Sequence, residues 1–416
     1  MRRLDGVDAF PTLGWAAVAW IETFLCHGPG DVVGEEIVLD DEFVRFICDC
    51  YRVFPPGSPH AGKRVFRRAV LSRPKGRAKS ELAGALVCWE ALGECRFDHW
   101  ARPSERSWWG YEYEAGEPVG RPVASPFIRC LATEIQQSGN TYDNVREMLS
   151  NDTVVSTYGF RRGDIGRTRV YLPGGGEIRP STAAGASKDG GKETFAVADE
   201  THHFELDELR DMHEVVRRNL RKRKAAEPWM LETTTAYRPG MDSIAERAAE
   251  YARQLGGRAE QAARGLLYDH REAPPVENIR NPDEVIPALK SVYGPFADVM
   301  DLESIAQDLQ DPSVEEADGR RYWLNQATLG SLAWWTDQQL ADIFDVGALI
   351  AELAAGSTNP VVVALLGTLG TVVVIGGRIA WAAVTPLAMP RLDPETPLVV
   401  GRIEPPPQLA RRPTLP

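Results

Sequence analysis

Cysteine is scarce in this 416-residue sequence, and its six copies are poorly arranged for covalent or metal chemistry. No two of them form a Cys-x-x-Cys pair, and none has a histidine at zinc-ligand spacing. This distribution argues against a disulfide framework and a zinc site, and it indicates buried thiols in a reducing compartment. The first residues also lack the apolar run of a secretory signal peptide, so we expect a cytoplasmic protein.

A surplus of positive charge is missing as well. The sequence has 47 Lys and Arg residues against 59 Asp and Glu residues, which gives a net charge of −12. The field of the whole chain therefore does not attract nucleic acid, and any such contact requires a local basic stripe. The remaining composition, 43% hydrophobic and 25% charged, is that of a globular protein and excludes fibrous repeats and wholesale disorder.

Strands and helices alternate along the middle of the chain, which predicts an α/β fold with a mostly parallel sheet flanked by helices. We expect an N-terminal helical segment at 1–60, an α/β core at 61–240, and a small helical linker or lid subdomain at 241–335. The predicted helices lie at 13–25, 41–54, 80–92 and 142–149, and the predicted strands at 65–72, 122–130, 170–172, 177–179 and 194–198.

The last part of the chain, 336–416, has a different character. It contains an uncharged run at 360–377, followed by a proline-rich end. The run is just long enough to span a membrane. A buried strand–turn–strand piece and an unstructured remnant are the alternatives that we favour, so no stable membrane association is expected.

The segment from Arg73 to Ser80, RPKGRAKS, lies between a predicted strand and a predicted helix. In a phosphate loop at this position, backbone N–H groups hold phosphate oxygens, a lysine reaches the β and γ oxygens, and a serine ligates Mg²⁺. Lys79 and Ser80 suit these roles. The standard pattern has glycine at the positions of Arg73 and Ala78, and Gly76 with Lys75 only partly replaces them. A basic strand–helix turn without a ligand is the alternative.

Two further strand ends carry polar residues. The apolar run 195–198 is followed by Asp199 and Glu200. In nucleotide hydrolases the first acid at such a strand tip helps to hold Mg²⁺, and the second can polarise the attacking water. Thr233, Thr234 and Thr235 end another β-prone run and could sense a γ-phosphate. An acidic helix cap and an ordinary threonine-rich strand are the alternatives.

Taken in order, these segments resemble the large subunit of phage terminases, the ATPase of the viral DNA-packaging motor. The resemblance extends over most of residues 10–335. Besides the loop and the acidic doublet, it includes the segments SPFIRCLATE, GNTYDNV, RRNLRKRKAAEPWMLETTTAY, LLYDHREAP and RRYWLNQAT.

The resemblance implies a P-loop NTPase fold of the ASCE type, with Walker A and Walker B motifs, that uses ATP and Mg²⁺. Lys79 would contact the β and γ phosphates and act in catalysis, with Ser80 and Asp199 on the metal and Glu200 as the catalytic carboxylate. The threonines 233–235 would couple hydrolysis to movement. Arg73, Lys75, Gly76 and Ala78 complete the nucleotide-binding set. The arginine finger stays open among four candidates, Arg129, Arg161, Arg162 and Arg179.

The implied partners are double-stranded DNA, a portal protein and a small terminase subunit, with a homo-oligomeric ring as the active form in the host cytoplasm. The run from Arg217 to Lys224 has six cations in eight residues of a predicted helix and could contact DNA phosphates or a neighbouring subunit; a solvated helix face is the alternative. After residue 335 no clustered acids mark a nuclease, so we expect none from this chain. A truncated prophage remnant that binds nucleotide or partners without turnover is the competing interpretation.

Overall fold

A computed structural model describes residues 3–7, 9–133, 139–182 and 190–328. The chain divides into two units, Met1–Leu332 and Ala333–Pro416. The described residues all belong to the first unit. The predicted tail at 336–416, with its apolar run at 360–377, lies outside them.

The sequence folds into a seven-stranded sheet, a separate two-stranded hairpin and eleven α-helices within the described residues. The strands are β1 (Arg68–Ser72), β2 (Arg96–Trp100), β3 (Pro118–Arg121), β4 (Phe127–Leu131), β5 (Val170–Tyr171), β6 (Glu177–Ser181), β7 (Phe195–Ala198), β8 (Trp229–Thr234) and β9 (Leu266–His270). The helices are α1 (Gly14–Phe24), α2 (Asp41–Cys50), α3 (Lys79–Leu92), α4 (Gly139–Ser150), α5 (Asp152–Tyr158), α6 (Asp207–Asn219), α7 (Ile244–Leu255), α8 (Arg258–Ala263), α9 (Pro282–Tyr293), α10 (Leu302–Gln310) and α11 (Glu316–Trp323).

The main sheet has the strand order β5-β6-β4-β7-β8-β1-β9. Every neighbouring pair is parallel except β5 and β6, which are antiparallel. The predicted α/β fold with a mostly parallel sheet is therefore confirmed. In the centre, Ser72 at the end of β1 pairs with Thr234 of β8, and Ala198 at the end of β7 pairs with Glu232 of β8. The carboxyl ends of these three strands consequently lie side by side.

The helices are positioned by local signals and close packing. Asp40 caps α2, because its side chain accepts a hydrogen bond from the Phe43 N–H at 3.0 Å. A Cβ atom at Gly84 of α3 would lie 2.9 Å from the Cβ of Asn144 in α4, so glycine permits the close approach of these two helices. Beneath the sheet, the rings of Trp20, Trp89 and Trp229 are fully buried in the main apolar core.

Some predicted elements differ from the structure. Helix α2 ends at Cys50 instead of residue 54, and the basic run at 217–224 is helical in α6 only as far as Asn219. The hairpin of β2 and β3 and helix α5 were not predicted. Strand β9 was not predicted either; it lies within the range expected to be a helical linker and pairs with β1 at the sheet edge. No helix among the described residues is both long enough and apolar enough to span a membrane.

Candidate nucleotide-binding site

The loop between β1 and α3 has the tight backbone that a phosphate loop requires. Gly76 and Ala78 both have positive φ, at 81° and 50°, and Lys79 is the first residue of α3. A left-handed conformation costs an L-residue roughly 1–2 kcal/mol, which explains why glycine is the usual residue at the position of Ala78. The chain therefore adopts the expected turn although it lacks the expected glycine.

Lys79 directs its ammonium group into the interior of the site. The residue is only 5% exposed, and its Nζ donates hydrogen bonds to the Pro74 carbonyl at 3.0 Å and to the Thr235 hydroxyl at 3.2 Å. Burial lowers the pKa of Lys79, and the negative charges of Glu200 and Asp199 oppose this effect. Within the part of the chain that the structure describes, the buried Lys79 cation donates its hydrogen bonds to neutral oxygens alone, which leaves it suited to bind an anion.

Asp199 follows β7 and is held in place from two directions. Its Oδ1 accepts a hydrogen bond from the Thr233 hydroxyl at 2.5 Å, and its Oδ2 accepts one from the Thr141 hydroxyl at 2.7 Å. Asp199 is 4% exposed. Because each carboxylate oxygen has further lone pairs, the two hydroxyls orient the group without exhausting its capacity to bind a cation.

Glu200 lies next to Asp199 in a left-handed conformation, with φ at 55°. Its carboxylate is partly exposed, and its Oε2 lies 3.1 Å from Nδ1 of His202. Burial raises the pKa of Glu200 and the charge of Lys79 opposes the rise. Lys79, Asp199 and Glu200 thus act on one another electrostatically, because they follow two strands, β1 and β7, that end at the same edge of one parallel sheet.

The remaining predicted residues of the loop occupy different environments. Arg73 is 2% exposed; its Nε donates to Glu42 at 2.5 Å and its Nη2 to Asp269 at 2.7 Å. Its guanidinium is therefore tied to α2 and β9. The Lys75 side chain is exposed, with Nζ 5.8 Å from the centre of the Tyr322 ring. Ser80 is half-buried at the second position of α3.

Arg77 is a residue of this loop that the sequence prediction did not single out. Its side chain is fully buried, and Nη2 donates to Asp40 at 2.5 Å and to Glu42 at 2.9 Å. The guanidinium lies between the rings of Phe43 and Phe296, at 4.2 and 4.8 Å from their centres. The three acids at 40–42 were the available signal, because buried arginines need carboxylate partners.

The metal that the resemblance implies was tested against the donor atoms that are present. No group of three or more His, Cys, Asp or Glu residues suited to a metal occurs among the described residues. The Ser80 hydroxyl and the Asp199 carboxylate are hard oxygen donors, which suit Mg²⁺ when phosphates and waters complete the coordination. The residues present therefore fit Mg²⁺ bound together with a nucleotide.

The arginine candidates are not distinguished by the structure. Arg129 lies 3.1 Å from Glu193, and Arg179 lies 2.6 Å from Glu177, so both have carboxylate partners within the subunit. Arg161 and Arg162 are exposed. An arginine finger can come from the same subunit or from a neighbouring one, and the contacts of a single chain do not select among the four.

No protein-family model matches the chain. Among curated proteins, it is 26% identical over 385 residues to the Gene 13 protein of Mycobacterium phage L5, and 26% identical over 371 residues to the Gene 13 protein of Mycobacterium phage D29. These alignments cover 81% and 80% of this chain but 60% and 58% of the relatives, so the chain spans about three fifths of their length. Among solved structures, the large terminase of bacteriophage HK97 matches with a TM-score of 0.52 and 18% identity, over 76% of this chain and 55% of the terminase. In its fold, the chain therefore resembles the part of the HK97 large terminase over which the two structures match.

Proposed function

We propose that the chain hydrolyses ATP as the motor ATPase of a phage DNA-packaging terminase. The observation that carries this proposal is the convergence of Lys79 with the acidic doublet. The Thr235 hydroxyl accepts from the Lys79 ammonium, the Thr233 hydroxyl donates to Asp199, and Glu200 follows Asp199 directly. One site would then contain the Lys79 cation, the carboxylate oxygens of Asp199 as metal ligands, and Glu200 as the candidate base. It lies at the carboxyl ends of the strands, where ligands bind in open α/β sheets.

Each residue has a defined role in this proposal. The Lys79 ammonium contacts β- and γ-phosphate oxygens, replacing its hydrogen bonds to neutral acceptors by stronger charge-assisted ones. Ser80 and Asp199 hold Mg²⁺, which when bound neutralises phosphate charge. Glu200 orients the attacking water and accepts its proton. The elevated pKa of Glu200 suits a general base, because it brings the basicity of the carboxylate closer to the working pH.

The threonines connect this chemistry with the rest of the molecule. Thr233 and Thr235 contact Asp199 and Lys79, and Thr234 contacts the turn after the acidic doublet through His202. All three are buried at the end of β8. We infer that loss of the γ-phosphate shifts Lys79 and the acidic pair, and that these hydroxyls transmit the shift to the residues after β8.

The proposed polyanionic partner is double-stranded DNA, and the basic run at 217–224 is the candidate contact surface. Arg218, Arg221 and Lys224 are exposed and have no ion pair with any residue that the structure describes. In a chain of net charge −12 such a cluster is a local attractor for phosphates. From the resemblance to terminases, we also propose a portal protein and a small terminase subunit as partners. The active form would be a homo-oligomeric ring in the host cytoplasm.

Steady-state ATP hydrolysis tests the proposed chemistry. Glu200→Gln retains size and hydrogen-bonding capacity but removes the base, so turnover should fall by about 100-fold or more while Mg²⁺–ATP still binds. Lys79→Ala should weaken nucleotide binding itself. Glu205→Gln, on the same turn, is the matched control and should hydrolyse ATP as the wild type does. Equal turnover in wild type and Glu200→Gln would remove the proposed role. Tight nucleotide binding with no wild-type turnover would favour the non-catalytic interpretation.

Binding of a fluorescent duplex at several salt concentrations tests the DNA contact. If Arg218 and Arg221 each neutralise a phosphate, the double variant Arg218→Gln/Arg221→Gln should reduce the slope of log affinity against log salt by about 2. Arg161→Gln/Arg162→Gln is a control with the same charge change on another exposed loop. An unchanged slope in the first pair would exclude the basic run as the contact surface.

A further inference from the structure

His202 is a buried residue of the site that no role yet accounts for. It lies in the short 3₁₀ turn Thr201–His203 after the acidic doublet and is 3% exposed. Its Nδ1 lies 3.1 Å from Oε2 of Glu200 and 3.3 Å from the hydroxyl oxygen of Thr234. Its backbone N–H donates to that same hydroxyl oxygen at 3.1 Å. The imidazole thus joins the ends of β7 and β8.

The surrounding hydrogen bonds assign the proton on this ring. The Thr234 hydroxyl donates to the Thr235 carbonyl at 2.8 Å, so its oxygen can only accept from His202. A carboxylate likewise only accepts. Nδ1 therefore carries a hydrogen, which it donates to Thr234, and the Glu200 carboxylate lies 3.1 Å from the same nitrogen. Nε2 has no hydrogen-bond partner among the described residues, as expected for the bare nitrogen of a neutral ring.

The charges around the ring support the neutral form. Burial lowers the pKa of His202 well below its usual value, and the positive charges of Lys79, Arg321 and Lys75 lower it further. The Tyr322 ring of α11 packs against the imidazole edge-on, with the ring centres 6.0 Å apart. The group is thus a neutral donor with a fixed tautomer, held between the carboxylate and the packed aromatic ring.

We propose that His202 is a positioning residue that fixes the Glu200 carboxylate for attack on the nucleotide. This inference rests on the proposed ATP hydrolysis. Glu200 is partly exposed and its backbone is in a left-handed conformation, so its side chain needs an external contact to select one orientation. The approach of the Nδ1–H group to Oε2, at 3.1 Å, supplies that contact on one oxygen, and we assign Oε1 to the attacking water. The same nitrogen lies near Thr234, so a movement of β8 reaches the base directly.

Three substitutions separate this role from simple packing. Asparagine places an amide N–H near the position of Nδ1, glutamine places one near Nε2, and leucine fills the volume without any donor. We expect His202→Leu and His202→Gln to lower kcat by about 10- to 100-fold, because a misplaced base loses most of its advantage. His202→Asn should retain most of the wild-type kcat, and the Kd for Mg²⁺–ADP should stay near the wild-type value throughout. His60→Leu, at an exposed histidine in the loop after α2, is the matched control.

The comparison of asparagine with glutamine decides the question even if His202→Leu does not fold. Equal kcat values in His202→Asn and His202→Gln would overturn the inference, as would parallel losses of kcat and Mg²⁺–ADP affinity. The wild type and Glu200→Gln are measured alongside. Wild-type turnover no greater than that of Glu200→Gln would remove the proposed function and this inference together. Clear wild-type turnover with an unimpaired His202→Leu would remove this inference alone.

Discussion

Glu42 joins the candidate phosphate loop to the N-terminal helical segment, and its removal gives the sharpest prediction about how the loop is held. Its carboxylate accepts from Arg73 at 2.5 Å, from Arg77 at 2.9 Å and from Arg271 at 3.0 Å. The Glu42 side chain is 8% exposed, and Arg73 and Arg77 are almost completely buried. Glu42→Gln keeps the shape of this side chain and removes the charge that three guanidinium groups share.

The magnitude follows from which partners the arginines keep. Breaking a buried ion pair typically costs about 3–5 kcal/mol, because a charge is left without compensation. Arg73 retains Asp269 and Arg77 retains Asp40, which lowers the expected cost. Arg271 is 36% exposed, and its contact contributes at most about 1 kcal/mol. We therefore expect Glu42→Gln to lower the free energy of unfolding by about 2–4 kcal/mol.

Urea unfolding of the full chain measures this loss. The midpoint should fall by about 0.7–1.3 M, because for a chain of this size the free energy changes by roughly 3 kcal/mol per molar urea, the upper end of the usual range. The exposed Glu36→Gln in the preceding loop is the control for a change of net charge and should leave the midpoint near that of the wild type. The affinity for Mg²⁺–ATP should also fall, because the loop loses its anchor on α2. An unchanged midpoint combined with tighter nucleotide binding would refute the reasoning and would show that Arg73, once released, is itself a phosphate ligand.

Substitutions at two other positions test the core and the loop turn. Glu90 is 1% exposed and accepts from Arg96 at 2.7 and 2.9 Å; burial alone would raise its pKa, but Arg96 overrides this and lowers the pKa. The Glu90 carboxylate therefore stabilises the fold above its unfolded pKa, and this stabilisation is lost as pH falls through its folded pKa. Near neutral pH, we expect the wild type to exceed Glu90→Gln by about 3–5 kcal/mol in free energy of unfolding. This difference should shrink below about pH 4.3. A pH series of denaturation curves with a constant gap would contradict this assignment. At Ala78, glycine would relieve the left-handed strain but would also make the unfolded chain more flexible. Because these effects oppose each other, Ala78→Gly should change the free energy of unfolding by less than about 1 kcal/mol. Ala78→Val adds to the strain and should destabilise the protein by more than about 1 kcal/mol. Equal melting temperatures for the glycine and valine variants would show that the turn is not constrained.

The sheet could be predicted where local patterns coincide with burial. The ends of β1 and β7 were recognised because an apolar run stops at a polar loop, and in the structure β7 and the last four residues of β1 are buried. Strand β9 lacked such a signal, since only Leu266 and Leu267 of its five residues are buried. Its identity as a strand depends on pairing with β1, which is distant in sequence. The β2–β3 hairpin was missed for a similar reason, because its first strand, RFDHW, is mostly exposed or half-buried.

The candidate site shows the same division between local and tertiary information. The spacing of Lys79 and Ser80 and the acidic doublet are sequence patterns, and they indicated which residues to examine. Whether Arg73 faces a ligand or a carboxylate depends instead on α2 and β9, which lie 31 and 196 residues away along the chain. The hydroxyl of Thr141 and the imidazole of His202 became relevant only when the fold placed them beside Asp199 and Glu200. The contacts of Arg73, Asp199 and Glu200 thus depend on partners that sequence spacing does not specify.

Left-handed backbone marks both strand ends that form the candidate site. Ala78 precedes Lys79, and Glu200 follows Asp199, with φ values of 50° and 55°. Neither residue is glycine, so each carries a conformational cost that the surrounding contacts must offset. At the loop, the buried arginines supply those contacts; at the doublet, the threonine hydroxyls and His202 supply them. Because strained residues persist only where their surroundings fix them, the two that flank the buried Lys79 and Asp199 are in keeping with the ligand-binding arrangement proposed above.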